Sequence, residues 1–265
     1  MMLSAHISGL GVLGPGLANW PEAAAVLSGR QPYRPAPTVL PVPTILAAAE
    51  RRRVGRVVKL AIAIALEATA QAGENPAELA SVFSSSGGDG HNCHELCQAL
   101  SLPGREVSPT RFANSVHNAA AGYWSIGTGA MAESNVLCAF DASFTAGFLE
   151  ALTQVTVDEV PVLLVAYDGE YPQPLHAKRP IPDVFGVAML LTPQRRAASL
   201  ARVDAALSGA DADRFSDRAL EELRCAFPAA RSLPLLRLLA AQTGGTATLD
   251  YLDVSRVEVR IEPCA

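Results

Sequence analysis

The chain has 265 residues, 49% of them hydrophobic, and a formal net charge of −5 at pH 7. That is enough apolar material for one large α/β domain with a substantial core, or for two small ones. Basic residues are dispersed apart from Arg51, Arg52 and Arg53, so no nucleic-acid footprint or anionic-membrane patch is expected. The triplet is expected to cover an exposed helix start.

Paired glycines and alternating apolar positions over 7–16 predict a first strand, followed by a short helix from Pro21 with Asn19 as its cap. The proline-rich stretch 31–43 predicts a surface loop. Periodic apolar residues over 47–72 predict one long helix ended by Gly73. A strand over 79–85, a glycine-rich loop over 86–90 and a helix over 91–100 come next. A further short helix starts near Asn118 and carries Tyr123, Trp124 and Ile126. A strand over 135–140, a helix over 143–156 and a strand over 160–166 form a βαβ unit in a parallel or mixed sheet. Another strand covers 185–191.

Beyond Pro193 the pattern gives a strand at 200–207, helices at 216–226 and 233–242, and strands at 246–249 and 254–261. Glycine and acidic residues at 209–213 mark a candidate boundary between a main domain, 1–208, and a short C-terminal extension, 209–265, whose strands could also complete the same sheet. The longest apolar run, 60–66, is far short of the ~20 residues that span a bilayer. The chain starts directly in a strand pattern, without a basic leader or cleavage site. The odd set of cysteines, 93, 97, 138, 225 and 264, suits reduced thiols. A cytoplasmic location is expected from these features together.

Several stretches invite chemistry. His91, Cys93, His94 and Cys97 crowd one helix, where four ligands cannot converge tetrahedrally, so no metal is expected. The run Ser84 to Gly90 lacks the spacing of a phosphate or dinucleotide loop and is expected to be a turn. Cys138 falls inside the predicted strand, where burial would leave it inert; as an alternative it is a displaced nucleophile. Phe144 and Phe148, at helical spacing, suit a core.

The segment from Val136 to Ala151 reads as strand, sharp turn and helix, and it resembles the nucleophile elbow of β-ketoacyl synthases. Two further segments resemble the amino-terminal half of that family in matching order over about 3–207: Ser108 to Asn118, and Arg179-Pro180 leading into Asp183 to Ala188. The resemblance implies a thiolase-like α/β fold, a mixed sheet covered by helices with a strongly reduced second half. In that family a cysteine occupies the turn, and two histidines come from the second half. Here Asp141 is expected at the nucleophile position, and the five histidines all precede Pro180.

The resemblance is nearest to the ketosynthase-like chain-length factors of bacterial aryl polyene pathways. It therefore implies a non-catalytic subunit that pairs with an active ketoacyl synthase, shapes its acyl tunnel and meets acyl carrier protein through it, with no cofactor of its own. Phe112, Asn114, Ser115, His117, Asn118, Phe140 and Phe144 are the implied tunnel or interface residues. The alternatives are a divergent acyltransferase or thioesterase using Cys138, or Asp141 with His117, and a scaffold homodimer.

Overall fold

A computed structural model describes residues 2–264. Its centre is an eight-stranded sheet in the order β3-β2-β4-β5-β1-β6-β8-β7. The strands are β1 (Leu3–Leu13), β2 (Ala80–Ser84), β3 (Ser134–Leu137), β4 (Val162–Asp168), β5 (Phe185–Thr192), β6 (Ala201–Ser208), β7 (Gly245–Leu252) and β8 (Ser255–Pro263). β3, β2 and β4 run parallel, and the remaining pairings are antiparallel. The sheet is therefore mixed, as the thiolase-like expectation requires. β8 lies beside β6 and β7 beyond it, so residues after 208 build the far side of this sheet.

Both faces are covered, which explains the uninterrupted apolar runs of β4 and β5. Alternation in β4 sends Leu163, Val165 and Tyr167 toward helices α3 (Arg56–Ala72) and α6 (Ala119–Thr128). Val162, Leu164 and Ala166 instead join Phe144 and Phe148 of α7 (Ser143–Val157) and Leu235 and Leu236 of α9 (Leu233–Ala241). The β3-α7-β4 crossover places two parallel strands on either side of β2.

α3 packs directly onto β1. A Cβ on Gly9 would lie 2.0 Å from Ala68 O, and one on Gly11 would lie 2.1 Å from Ile64 O. In this half of β1, where β6 no longer pairs, Gln71 Oε1 accepts from Leu10 N at 2.7 Å and Glu67 Oε2 from Val12 N at 3.0 Å. Side chains of the helix thus complete the backbone pairing that a strand would otherwise supply.

Helix α1 (Trp20–Leu27) is capped as expected, with Asn19 Oδ1 accepting from Glu22 N. The expected helix over 47–72 is interrupted. It divides into α2 (Ala48–Arg51) and α3, with an extended Gly55 as the N-cap of α3. A Cβ at Gly55 would stand 2.2 Å from Asp89 Oδ2, so a larger residue there would have to displace the Asp89 side chain. Asn114 Nδ2 donates to Arg53 O at 2.8 Å and satisfies a carbonyl freed by the break. Arg52 and Arg53 consequently lie in this interruption, while Arg51 ends α2. Gly73 ends α3 in the left-handed conformation at φ 69°.

Helices α4 (Gly90–Ser101), α5 (Pro109–Ala113) and α8 (Arg218–Ala226) complete the set; α5 lies in a stretch without a helical periodicity of its own. No helix among the described residues is long and apolar enough to cross a membrane.

Candidate functional site

The C-terminal ends of β2, β3 and β4 and the start of α7 meet at one place, the usual position for chemistry in a parallel α/β unit. β3 stops at Leu137, three residues earlier than expected. Cys138 and Ala139 leave the sheet, and a single 3-10 turn over Phe140–Ala142 leads into α7. Phe140 has φ 51°, a left-handed conformation that is rare for a bulky residue. Ser143 holds the bend: its Oγ accepts from Ala139 N at 3.0 Å and donates to Phe140 O at 2.7 Å. Ser84 Oγ donates to Ser143 O and ties the helix start to β2.

Asp141 therefore lies within the strand-to-helix bend, but the left-handed residue is its neighbour Phe140. Asp141 Oδ1 accepts from Arg179 Nη2 at 2.7 Å, and Arg231 Nη2 stands 4.0 Å from Asp141 Oδ2. The Arg179 guanidinium also covers the Phe140 ring, 3.8 Å from its centroid. Arg231 Nη1 continues to Asp250 Oδ2 at 2.9 Å, which also accepts from Arg224 Nη1 at 2.6 Å. Burial works to raise the Asp250 carboxyl, but Arg231 and Arg224 outweigh it and hold it below the usual range. Hydrogen bonds from Arg224 hold Glu221 at about 2.

Cys138 is exposed, which overturns the expectation of a buried thiol. The strand ends one residue before it, so the side chain is not held within the sheet. Its Sγ donates to Ser86 O at 3.4 Å. His117 Nε2 is engaged with Ser85 O at 3.0 Å. Among the described residues no hydrogen bond joins His117 to Asp141, so the structure does not assemble that acid–base pair.

Phe144 is fully buried and stacks on Phe148 at 5.9 Å, which makes it core and not the tunnel or interface residue it was expected to be. Asn114 is also buried: besides Arg53 O it binds the Tyr123 hydroxyl, whose O–H donates to Asn114 Oδ1 at 2.9 Å. It braces the α2–α3 break. Phe112, by contrast, is 67% exposed, with Ser115 Oγ donating to its carbonyl. Asn118 starts α6 without a side-chain cap bond and helps line a groove of about 550 Å³ with Val116, Tyr123 and Ile126.

No local pattern marks Asp168, at the end of β4. It is fully buried, and its Oδ1 accepts from Ser86 N at 2.9 Å and Ser86 Oγ at 2.5 Å while Oδ2 accepts from Ala229 N at 2.7 Å. Nor did the sequence single out Arg179 and Arg231 as Asp141 partners, because they come from segments 38 residues away and farther.

A family profile described as "Beta-ketoacyl synthase, N-terminal domain" matches residues 19–243. Among solved structures, a chain of the ketosynthase ApeO in complex with its chain length factor ApeC from Xenorhabdus doucetiae is similar, at 24% identity and a TM-score of 0.74. The match covers 97% of this chain and 99% of that one. A chain of the ishigamide ketosynthase/chain length factor is 15% identical, with a TM-score of 0.70 over 99% of this chain and 100% of that one. A chain from AntDE:AntF, a type II polyketide synthase acyl-carrier protein in complex with its ketosynthase bound to the hexaketide, is 10% identical, with a TM-score of 0.73 and full coverage of both chains. No curated protein matches the sequence.

Proposed function

Since the chain belongs to the β-ketoacyl synthase family through its N-terminal domain, we propose that it is a non-catalytic subunit of the chain-length-factor kind. It pairs with an active ketosynthase and shapes that partner's acyl tunnel in polyketide or aryl polyene-like synthesis. The observation that carries this reading is the composition of the bend. A phenylalanine occupies its left-handed residue, and the following carboxylate is engaged by Arg179. Acyl transfer through a thioester needs a nucleophile beside a base. The nearby thiol of Cys138 instead donates a hydrogen bond to the Ser86 carbonyl, and His117 is engaged elsewhere.

The surface supports pairing. β3 is an edge strand, and Phe112, Val116, Ile126 and Met131, in the segment leading to it, are all exposed, Met131 by 94%. Apolar groups of this size concentrated in one segment suit a partner surface. Similar solved chains come from assemblies described as ketosynthase with chain length factor, and one such assembly includes an acyl-carrier protein. Acyl carrier protein would then meet this subunit through the ketosynthase, in the cytoplasm. Length control needs no chemistry from this chain. A methylene that the tunnel cannot accept forfeits about 0.8 kcal/mol of burial.

Co-expression with candidate ketosynthases, followed by size-exclusion chromatography, tests the pairing: a stable heterodimer is expected. A homodimer that ignores every ketosynthase would favour a scaffold. Acylation of the isolated chain by an acyl-carrier thioester, mapped to Cys138, would instead favour the acyltransferase reading, which draws on the exposure of that thiol.

A further inference from the structure

The proline-rich stretch 31–43 is used by no step proposed above, and it is fastened to the body of the protein along its length. Tyr33 Oη donates to Pro15 O at 2.8 Å, Gly16 N to Ala36 O at 2.9 Å, and Leu46 N to Pro43 O at 3.0 Å. Midway, Thr38 is buried: its N donates to Asp183 Oδ2 at 2.7 Å and its Oγ1 to Val184 O at 3.1 Å. The apolar side chains that follow are nonetheless outside, Val39 83% and Val42 68% exposed. Prolines at 35, 37, 41 and 43 fix the backbone further, so little order remains to be paid for when something docks there.

Thr38 stands between two clefts of opposite charge. Before it, Pro35 and Pro37 face Leu223 of α8 across a cleft of about 410 Å³, whose only charged lining residues are Asp183 and Glu222. After it, Pro41 and Val42 wall a cleft of about 340 Å³, whose only charged lining residues are Arg51, Arg52 and Lys59. Asp183 is already bonded to Arg56, but Glu222 has only the exposed Arg218. Among the described residues, Arg51, Arg52 and Lys59 form no ion pair through their side chains.

We propose that this ridge docks a second copy of the chain about a twofold axis at Val39, so that the acid-lined cleft of each protomer meets Arg51, Arg52 and Lys59 of the other. A patch of one sign would suit any partner of opposite charge. Two flanks of opposite sign on either side of one anchored point suit the protein's own copy, because a twofold axis lays each flank against its complement. Val39, Val42 and the prolines supply the apolar contact, and the charges set its register. Phe112, Val116, Ile126 and Met131, offered above to a ketosynthase, line neither cleft, so the self-pair does not rest on that reading.

Sedimentation velocity of the full chain alone, over a concentration series, tests the pair. A reversible dimer is expected, and it should weaken as salt is raised. One variant carries Arg51→Glu with Arg52→Glu, and another carries Glu222→Lys. Each should raise the dimer dissociation constant about tenfold or more, because like charges then face each other. An equimolar mixture of the two should restore the dimer: in the mixed pair one contact keeps its original charges and the other has them exchanged. Val39→Asp, at the crest, should dissociate the pair in every mixture, and it decides the matter where a charge variant fails to fold. A monomer at every concentration, a dimer that none of these changes weakens, or a mixture that stays monomeric would overturn the proposal. So would a loss of ketosynthase or acyl carrier protein binding in the arginine variant while self-association is unchanged, since the arginines would then belong to those partners. The sedimentation experiment contains no ketosynthase, so its outcome is separate from that of the pairing experiment.

Discussion

Arg179 Nη2 lies 2.7 Å from Asp141 Oδ1, and the same guanidinium covers the ring of the residue before it, Phe140. One side chain thus engages both residues of the bend. The Asp141 side chain is 46% exposed, and water screens its half of the pair. Asp141→Asn is therefore expected to lower stability by no more than about 1 kcal/mol. Arg179→Ala should cost more, about 1–3 kcal/mol, because the arginine is largely buried and also packs on Phe140. Urea titration of the two variants would check the order, which reverses if the ion pair dominates.

The contact between α3 and β1 gives a second expectation. With Ile64 O only 2.1 Å from a Cβ at position 11, Gly11→Ala forces backbone apart and should cost about 3 kcal/mol. At Gly122 nothing lies within 4 Å of an added Cβ, so alanine there, within α6, should stabilise by about 0.5–1 kcal/mol. Denaturation midpoints of the two variants should move in opposite directions.

Stability should depend on pH through Asp168 in a definite sense. Its folded carboxyl titrates at about 6, above the model-peptide value of 3.8, so the folded state binds more protons between these limits. The contribution is fully present below about 4 and lost as pH rises through 6. Relative to Asp168→Asn, the unaltered protein should gain about 3 kcal/mol on going from pH 7 to 4, at 1.36 kcal/mol per unit. Glu221 and Asp250, which are lowered, act oppositely below about pH 4, and the comparison with the variant cancels them.

Thiol alkylation addresses the bend directly. Cys93, Cys97, Cys138 and Cys225 are all exposed and should label in the native protein. Cys138 should react no faster than Cys93 and Cys97, because no general base is hydrogen-bonded to its Sγ, which donates to Ser86 O. A rate ten times higher at Cys138 would argue for a nucleophile.

Phe112 and Phe144 separate surface from core. Phe144→Ala should cost about 3–5 kcal/mol, since the ring is wholly buried against Phe148. Phe112→Asp should leave stability within about 0.5 kcal/mol while weakening co-purification with a ketosynthase. Intact co-purification would remove Phe112 from the partner surface.

Most elements were legible in the sequence because each has a local cause: the Asn19 cap, the left-handed Gly73 and the apolar runs of β4 and β5 act through neighbouring residues or strand alternation. The break in the helix over 47–72 was hidden, because the group that satisfies it, Asn114 on the Arg53 carbonyl, lies far along the chain. The same holds for Phe144, whose spacing fits a core or a pocket wall equally well until α7 is laid against the sheet.

At the bend, adjacent residues alone show a strand turning sharply into a helix without a thiol at residue 140 or 141, since turn chemistry and apolar pattern are local properties. Folding adds that Phe140 carries the left-handed backbone, that Cys138 is exposed, and that Arg179, Arg231 and Asp168 gather around them. Charges and hydrogen bonds act through space. Partners as distant in sequence as Asp168 and Ala229 meet only once the strands have set where each loop emerges.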